Sequence, residues 1–266
     1  MKYRAPRFLF RRYEVLRRVR PGTSFMEIGA ADLTLTRELL ARFERGLALD
    51  FTDDLPGSYE NLPAAEKARL AISNINVMTD AVPGDFDCVV ACEVIEHIED
   101  DALFMRKIFA SLNPGGQIVV SMPAKAKFWS VHDELVGHLR RYEKAELTRM
   151  LEETGFVDVE VVAYGYPWIN WLSHLRVWLA RRTLTDRADW DQQKQTSMSN
   201  HRQIPGWLSG SLVPLLVNKV TIWPFAFFSR LFNSLDLSDG YVVTARRPEK
   251  GVELRTNTNE NDCHLQ

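Results

Sequence analysis

Between residues 21 and 165, short apolar runs alternate with helical patterns, and this alternation constrains the fold more than any other feature of the chain. "SFMEIG" (24–29), "GLALDF" (46–51), "FDCVVAC" (86–92) and "GQIVVSM" (116–122) are apolar along their length. Runs of that kind read as strands buried on both faces. Between them, "LTLTRELLARFE" (33–44), "DALFMRKIFASL" (101–112) and "EKAELTRMLEETG" (143–155) read as helices. In the last, Leu147, Met150 and Leu151 fall at i, i+3, i+4 spacing, and Gly155 marks the stop. The alternation predicts an α/β fold with a mostly parallel sheet and helices on both faces. Ligands of such sheets bind at the carboxyl ends of the strands.

The pattern stops after "DVEVVAYG" (158–165) and returns only at "GYVVTARR" (240–247). Six of the seven tryptophans lie between these runs: Trp168, Trp171, Trp178, Trp190, Trp207 and Trp223. The polar stretch 186–203 reads as a loop, and the charged tail 249–266 as disordered. The expected organisation is therefore a basic N-terminal helix (1–20), a core (21–165 plus 239–248), a Trp-rich helical insertion (166–238) and the tail.

Charge is uneven along the chain. Residues 1–20 hold eight Lys or Arg against one Glu, and 165–238 hold eight against four Asp, although the whole chain is at −2. The central body is therefore acidic between two basic flanks. Cys88, Cys92 and Cys263 show no paired spacing, so neither a disulfide framework nor a zinc site is expected. The N-terminus lacks an uninterrupted apolar core, so a cytoplasmic protein is expected rather than a secreted one.

"FMEIGAADLTLT" (25–36) has the form of a ligand loop at the first strand end, with Glu27 and Gly29 before a helix N-terminus. Asp50, at the second strand end, is placed to accept hydrogen bonds from ribose hydroxyls. Cys92-Glu93-Val94 ends a later strand and is expected to open a helix. A glycine-poor loop is a weak pyrophosphate cradle, so a nucleoside without phosphates fits better than a dinucleotide.

In "MEIGAADLTLT", "LALDF", "FDCVVACEVIEHIED" and "LNPGGQIVVSMPA", in this order, the chain resembles the class I S-adenosylmethionine-dependent methyltransferases. "HDELVGHLRRYEKAELTRMLEETGF" resembles a segment of bacterial members. The resemblance implies a Rossmann-like seven-stranded sheet with a helical insertion before the last strand, and S-adenosyl-L-methionine as cofactor. It implies that Glu27 holds the methionine end and that Gly29, Ala30 and Ala31 line the cofactor. Asp50 would bind the ribose, Phe51 and Ile75 would pack near the adenine, Asn74 would contact its amino group, and Cys92 and Glu93 would complete the wall.

The family loop usually carries glycines where Ala31 and Leu33 stand. A leucine does not readily take a positive φ, so the turn is expected to be made without one at Leu33.

Methyl transfer needs alignment, and a base where the acceptor is a hydroxyl. Candidate bases are His97, His132 and His138. Glu93, Glu96 and His97 fall at i, i+3, i+4. Ubiquinone-pathway O-methyltransferases carry a similar run, some with a divalent metal, but its plainer reading is a helix start beneath the cofactor, and no metal is assigned. In "WSVHDELVGHLRRY" (129–142), His132 with Asp133 could act as base and orienter, and Arg140 and Arg141 could bind an acidic group. The same residues could instead pin the next helix.

"WLSGSLVPLLVNKVTIWPFAFF" (207–228) has one charge, Lys219, but Pro214, Asn218 and Pro224 interrupt it, so it is not expected to span a membrane. It reads as a lid over a small lipophilic acceptor. The alternative is peripheral contact with an anionic membrane surface on its inner face, helped by the basic N-terminal helix. Two further classes compete: a methyltransferase-fold partner protein without cofactor, and a nucleic-acid methyltransferase. No nucleic acid is expected, because the Asn/Asp-Pro-Pro-aromatic run common in DNA amino-methylating enzymes is missing.

Overall fold

The structure, a computed structural model, describes residues 4–51, 54–184 and 213–249. A helix, α1 (Pro6–Arg18), precedes seven strands: β1 (Gly22–Ile28), β2 (Phe43–Leu49), β3 (Leu70–Ser73), β4 (Phe86–Cys92), β5 (Leu112–Pro123), β6 (Val157–Ala163) and β7 (Gly240–Arg246). Between them come α2 (Thr34–Leu39), α3 (Asp54–Glu60), α4 (Ala64–Lys67), α5 (Asp101–Ser111), α6 (Val131–Val136) and α7 (Lys144–Thr154). Then α8 (Trp168–Leu184), α9 (Val213–Leu216) and α10 (Lys219–Ser229) separate β6 from β7.

The strands form one sheet in the order β3-β2-β1-β4-β5-β7-β6. Neighbouring pairs from β3 to β5 are parallel, and β7 is antiparallel to both β5 and β6. The order reverses between β1 and β4, which opens a crevice at their carboxyl ends. Successive strand residues serve opposite faces of the sheet. Phe25, Cys88 and Val90 join one apolar cluster, while Met26, Val89 and Ala91 join the other. Both faces are buried, which explains why the runs were apolar throughout.

Local signals set most boundaries. Gly155, in the left-handed region at φ 104°, closes α7, as expected. Asp100 caps α5, its carboxylate accepting from Leu103 N–H. Two helix expectations need correction. Only six residues of 33–44 are helical, because β2 begins at Phe43. Glu93 opens no helix: its φ is 56°, a 3-10 turn follows at Ile95–His97, and α5 starts at Asp101.

The basic N-terminal helix is not a free cationic surface. Leu9, Phe10, Val15 and Leu16 are buried. Arg4 pairs with Asp32, Arg7 with Asp239, Arg11 with Glu93, Arg12 with Glu38, and Arg17 and Arg18 with Glu14. Its charge is committed to the protein's own acids.

Among the described residues, no helix is long and apolar enough to cross a membrane. The polar stretch 186–203, Trp190, Trp207 and the tail beyond 249 lie outside the described residues.

Candidate active site

The loop after β1 wraps around the end of β2. Gly29 and Ala30 N–H donate to the Leu49 carbonyl at 2.9 and 3.1 Å. Ala31 N–H donates to Asp50 Oδ2 at 2.7 Å, so the acid meant for the ribose also holds the loop. Gly29 has φ 76°, and a Cβ there would lie 2.6 Å from Val94 Cγ2; this position admits only glycine.

The expectation for Leu33 is overturned. Ala31 (φ 46°) and Leu33 (φ 59°) both take the left-handed conformation that the family's glycines would take. That conformation costs roughly 1–2 kcal/mol for a residue with a Cβ. At Leu33 the side chain is fully buried among Phe10, Val15, Leu35 and Leu39, and burial of a leucine returns about 1.5–3 kcal/mol. Packing replaces glycine.

The loop from Gly29 to Asp32 lines a cleft of about 1200 Å³ that runs along the strand ends. Glu27, Gly29, Ala30, Ala31, Asp50, Phe51, Ile75, Cys92 and Glu93 all face it, as expected. Asn74 does not: it is exposed and outside the lining, while Asn76, Val77 and Met78 line the wall. Glu27 is buried, and Thr36 Oγ1 donates to its carboxylate. Burial pushes its carboxyl up to about 8.

The other half of the cleft is assembled from distant parts of the chain. His97, His132 and His138 all line it. His138 Nδ1 lies 2.8 Å from Asp133 Oδ1. An ionised carboxylate can only accept, so this ring carries its proton on Nδ1 and leaves Nε2 basic. Burial, outweighing Asp133, draws His138 below its ordinary value, so it is neutral at pH 7. The expected His132–Asp133 pairing is therefore replaced: Asp133 is fully buried and orients His138. Its two oxygens also accept from Arg141 Nε and Nη2 at 2.8 and 3.0 Å.

Arg140 binds Asp101 at 3.0 Å, and Tyr142 Oη donates to the same acid at 3.0 Å. Both tie the segment to the start of α5 rather than to the next helix.

His97 lies against His138, ring centroids 5.0 Å apart, and its Nδ1 is 3.0 Å from the Gly137 carbonyl. Burial and then His138 draw His97 down to about 4. Beneath them lies Glu96, fully buried, neither oxygen hydrogen-bonded, its carboxyl held well above the usual range by burial and by Glu93. Donor atoms of Glu96, His97 and His138 lie within 4.8 Å of one another, close enough for one divalent cation. Glu93 does not join them as the spacing predicted. Its backbone turn sends the carboxylate to Arg7 (3.5 Å) and Arg11 (3.4 Å). Burial alone would raise Glu93, but the two arginines outweigh it and keep the group ionised.

Residues 1–161 match the family described as a methyltransferase domain. The chain belongs to that family. It is 37% identical over 95 residues, 35% of its length and 37% of the relative's, to a probable S-adenosylmethionine-dependent methyltransferase of Mycolicibacterium smegmatis. It is 28% identical over 102 residues, 38% of its length and 43% of the relative's, to a ubiquinone biosynthesis O-methyltransferase of Methylococcus capsulatus. The alignments thus span well under half the length of these curated relatives.

The fold is shared with phosphoethanolamine N-methyltransferase 2 of Haemonchus contortus, solved with S-adenosyl-L-methionine, at TM-score 0.56 and 16% identity, over 90% of this chain and 52% of that one. S-adenosylmethionine, the cofactor expected from the sequence, is the one named for the first of these relatives and present in the last.

Among the residues lining the cleft, sequence reasoning missed Asn76, Arg7, Arg11 and Arg176. Asn76 was legible in principle, two residues beyond Asn74 after a strand that ends at Ser73. The arginines were not, because their partners are remote in sequence.

Proposed function

We propose that the protein is an S-adenosylmethionine-dependent methyltransferase acting on a small, lipophilic acceptor. One observation carries the reading. Glu27 and Asp50, both buried acids, stand at adjacent strand ends around a glycine turn, in the crevice where the strand order reverses. A protein that had lost its cofactor would have no need to hold that pair over an open cleft. In this reading Asp50 accepts from the ribose hydroxyls and Glu27 faces the methionine ammonium. Phe51 and Ile75 flank the adenine, and Asn76 takes the place first given to Asn74.

The bound cofactor supplies a methyl group already activated by its sulfonium. The chain's own task is then to align the acceptor and remove its proton. His138, held by Asp133 with Nε2 basic, is the base in this reading, with His97 beside it and His132 elsewhere on the cleft wall. Of the two basic flanks, the N-terminal one is paired internally, which leaves little free positive charge there for a nucleic acid.

Lipophilicity of the acceptor rests on the surface of 171–237. Thirteen of the fifteen large apolar side chains exposed among the described residues lie there, including Trp171, Trp223 and Phe227. This surface also supports peripheral membrane contact as a second reading, through aromatic insertion rather than through α1. Sedimentation with anionic and neutral vesicles tests it; recovery of the protein in the supernatant with both would remove it.

Calorimetry with S-adenosylhomocysteine tests the main reading. The wild-type protein should bind, and Asp50→Ala should bind more weakly by about 1.5–3 kcal/mol for each charged hydrogen bond lost. Equal affinity in the two proteins would remove Asp50 from the site.

A further inference from the structure

Four guanidinium groups converge on the acceptor half of the cleft: Arg7 and Arg11 from α1, Arg141 after α6, and Arg176 from α8. Three carboxylates answer them. Asp239, 1% exposed, takes Arg7 Nη1 at 2.6 Å on one oxygen and Arg176 Nη2 at 2.7 Å on the other. Asp133 is filled by Arg141 and His138. Glu93 is shared by Arg7 and Arg11 at 3.5 and 3.4 Å, longer than good charge-assisted bonds.

Among the described residues, four guanidinium groups thus share three carboxylates, and Arg7 and Arg11 reach Glu93 only at long range, a costly arrangement in a largely buried wall when nothing else faces it.

The imbalance is sharpest at Arg176. Its Nε is buried and has no hydrogen-bond partner among the described residues. Burial, together with the charges of Arg7 and Arg141, outweighs Asp239 and draws this guanidinium below its ordinary value. An arginine that lines the cleft with only one acid, itself shared with Arg7, is a place for a further acceptor that the protein does not itself provide. Guanidinium donors arranged as planar forks match the oxygens of a carboxylate or phosphate.

We propose that the methyl acceptor carries an anionic group, a carboxylate or phosphate, held by Arg176 together with Arg7 and Arg11. This rests on the reading of the cleft as a methyl-transfer site. The acceptor is then an amphiphile: its charged group enters the cleft, and its apolar part extends toward the aromatic surface of α8 and α10. Arg176 belongs to the segment between β6 and β7 rather than to the strand ends that hold the cofactor, so it sets acceptor specificity.

The cofactor's own carboxylate is a competing source of the anion, and the test separates the two. Inorganic phosphate is titrated calorimetrically, at constant ionic strength, into protein saturated with S-adenosylhomocysteine and into protein alone. Phosphate should bind the saturated protein at one site, roughly tenfold or more weakly in Arg176→Gln and with partial retention in Arg176→Lys, which keeps the charge. S-adenosylhomocysteine affinity should be the same in all three. Loss of phosphate binding on saturation would assign the cluster to the cofactor and overturn the proposal, as would equal binding by Arg176→Gln.

Failure of the wild type to bind S-adenosylhomocysteine would strike the methyl-transfer reading instead. The phosphate titration of protein alone would still decide whether the cluster holds an anion. Should Arg176→Gln not fold, as read by its melting curve, Arg11→Gln replaces it with the same expectation.

Discussion

The two halves of the cleft are built by opposite means. The half proposed to hold the cofactor is local: Glu27, Gly29 and Ala31 stand at the end of one strand, Asp50 and Phe51 at the end of the next, and hydrogen bonds between adjacent strand ends fix their geometry. The acceptor half is held by side-chain ion pairs between remote segments. Arg7 reaches Asp239 across 232 positions, and Arg176 reaches it across 63. A site made of strand ends persists wherever the sheet persists. One made of ion pairs can be re-specified by exchanging a few charged residues, so family membership describes the first half well and the second hardly at all.

The largest expected effect divides the halves. His138→Asn should lower turnover by about 10²–10⁴-fold, because it removes the basic Nε2 while leaving cofactor contacts intact. S-adenosylhomocysteine affinity, measured alongside, should not move. A larger loss in His132→Asn than in His138→Asn would transfer the role of base to α6. Loss of wild-type turnover on dialysis against a chelator, restored by a divalent cation, would instead assign Glu96, His97 and His138 to a metal.

Legibility in the sequence followed the same division. Six of the seven strands, their parallel run and the ligand end of the sheet were readable, because apolar runs and the Gly155 stop are local signals; the short β3 was not singled out. Glu27, Gly29 and Asp50 were readable as strand-end residues. Asn74 missed by two positions, which is the ordinary error of a strand boundary. The segment Glu93–His97 was misread because helical spacing presumes helical backbone, and Glu93 departs from it at φ 56°. Residues of α1 looked like a cationic surface because nothing near them in sequence discloses Asp239, Glu93 or Glu38.

Leu33 is the exception within the legible half, and it offers the next largest effect. Leu33→Ala should cost about 2–5 kcal/mol, as deletions of buried leucine do. At most positions glycine is worse than alanine by about 0.5–1 kcal/mol, but here it relieves the left-handed strain. Leu33→Gly should therefore be the more stable of the two variants in denaturant titration. The usual order, with alanine ahead, would mean that the position carries no strain and that the comparison with the family's glycines is empty.

The smallest effect belongs to Glu27, and it tests whether the cofactor half is electrostatically prepared. Its folded-state value of about 8 lies above the unfolded value of about 4.3. A carboxyl raised in this way contributes its relative stability in full below the unfolded value. That contribution is lost as pH rises through the folded one, so the cofactor-free protein should weaken between about pH 4 and pH 8 by an amount that Glu27→Gln abolishes. A cationic ammonium brought beside Glu27 favours the ionised form, so binding at pH 7 should release close to one proton, falling toward none above about pH 9. Calorimetry of S-adenosylhomocysteine binding in buffers of different ionisation enthalpy reads this number directly. Buffer-independent heats at pH 7 would show that Glu27 keeps its proton in the complex, and that it holds the methionine end through a neutral hydrogen bond rather than through charge.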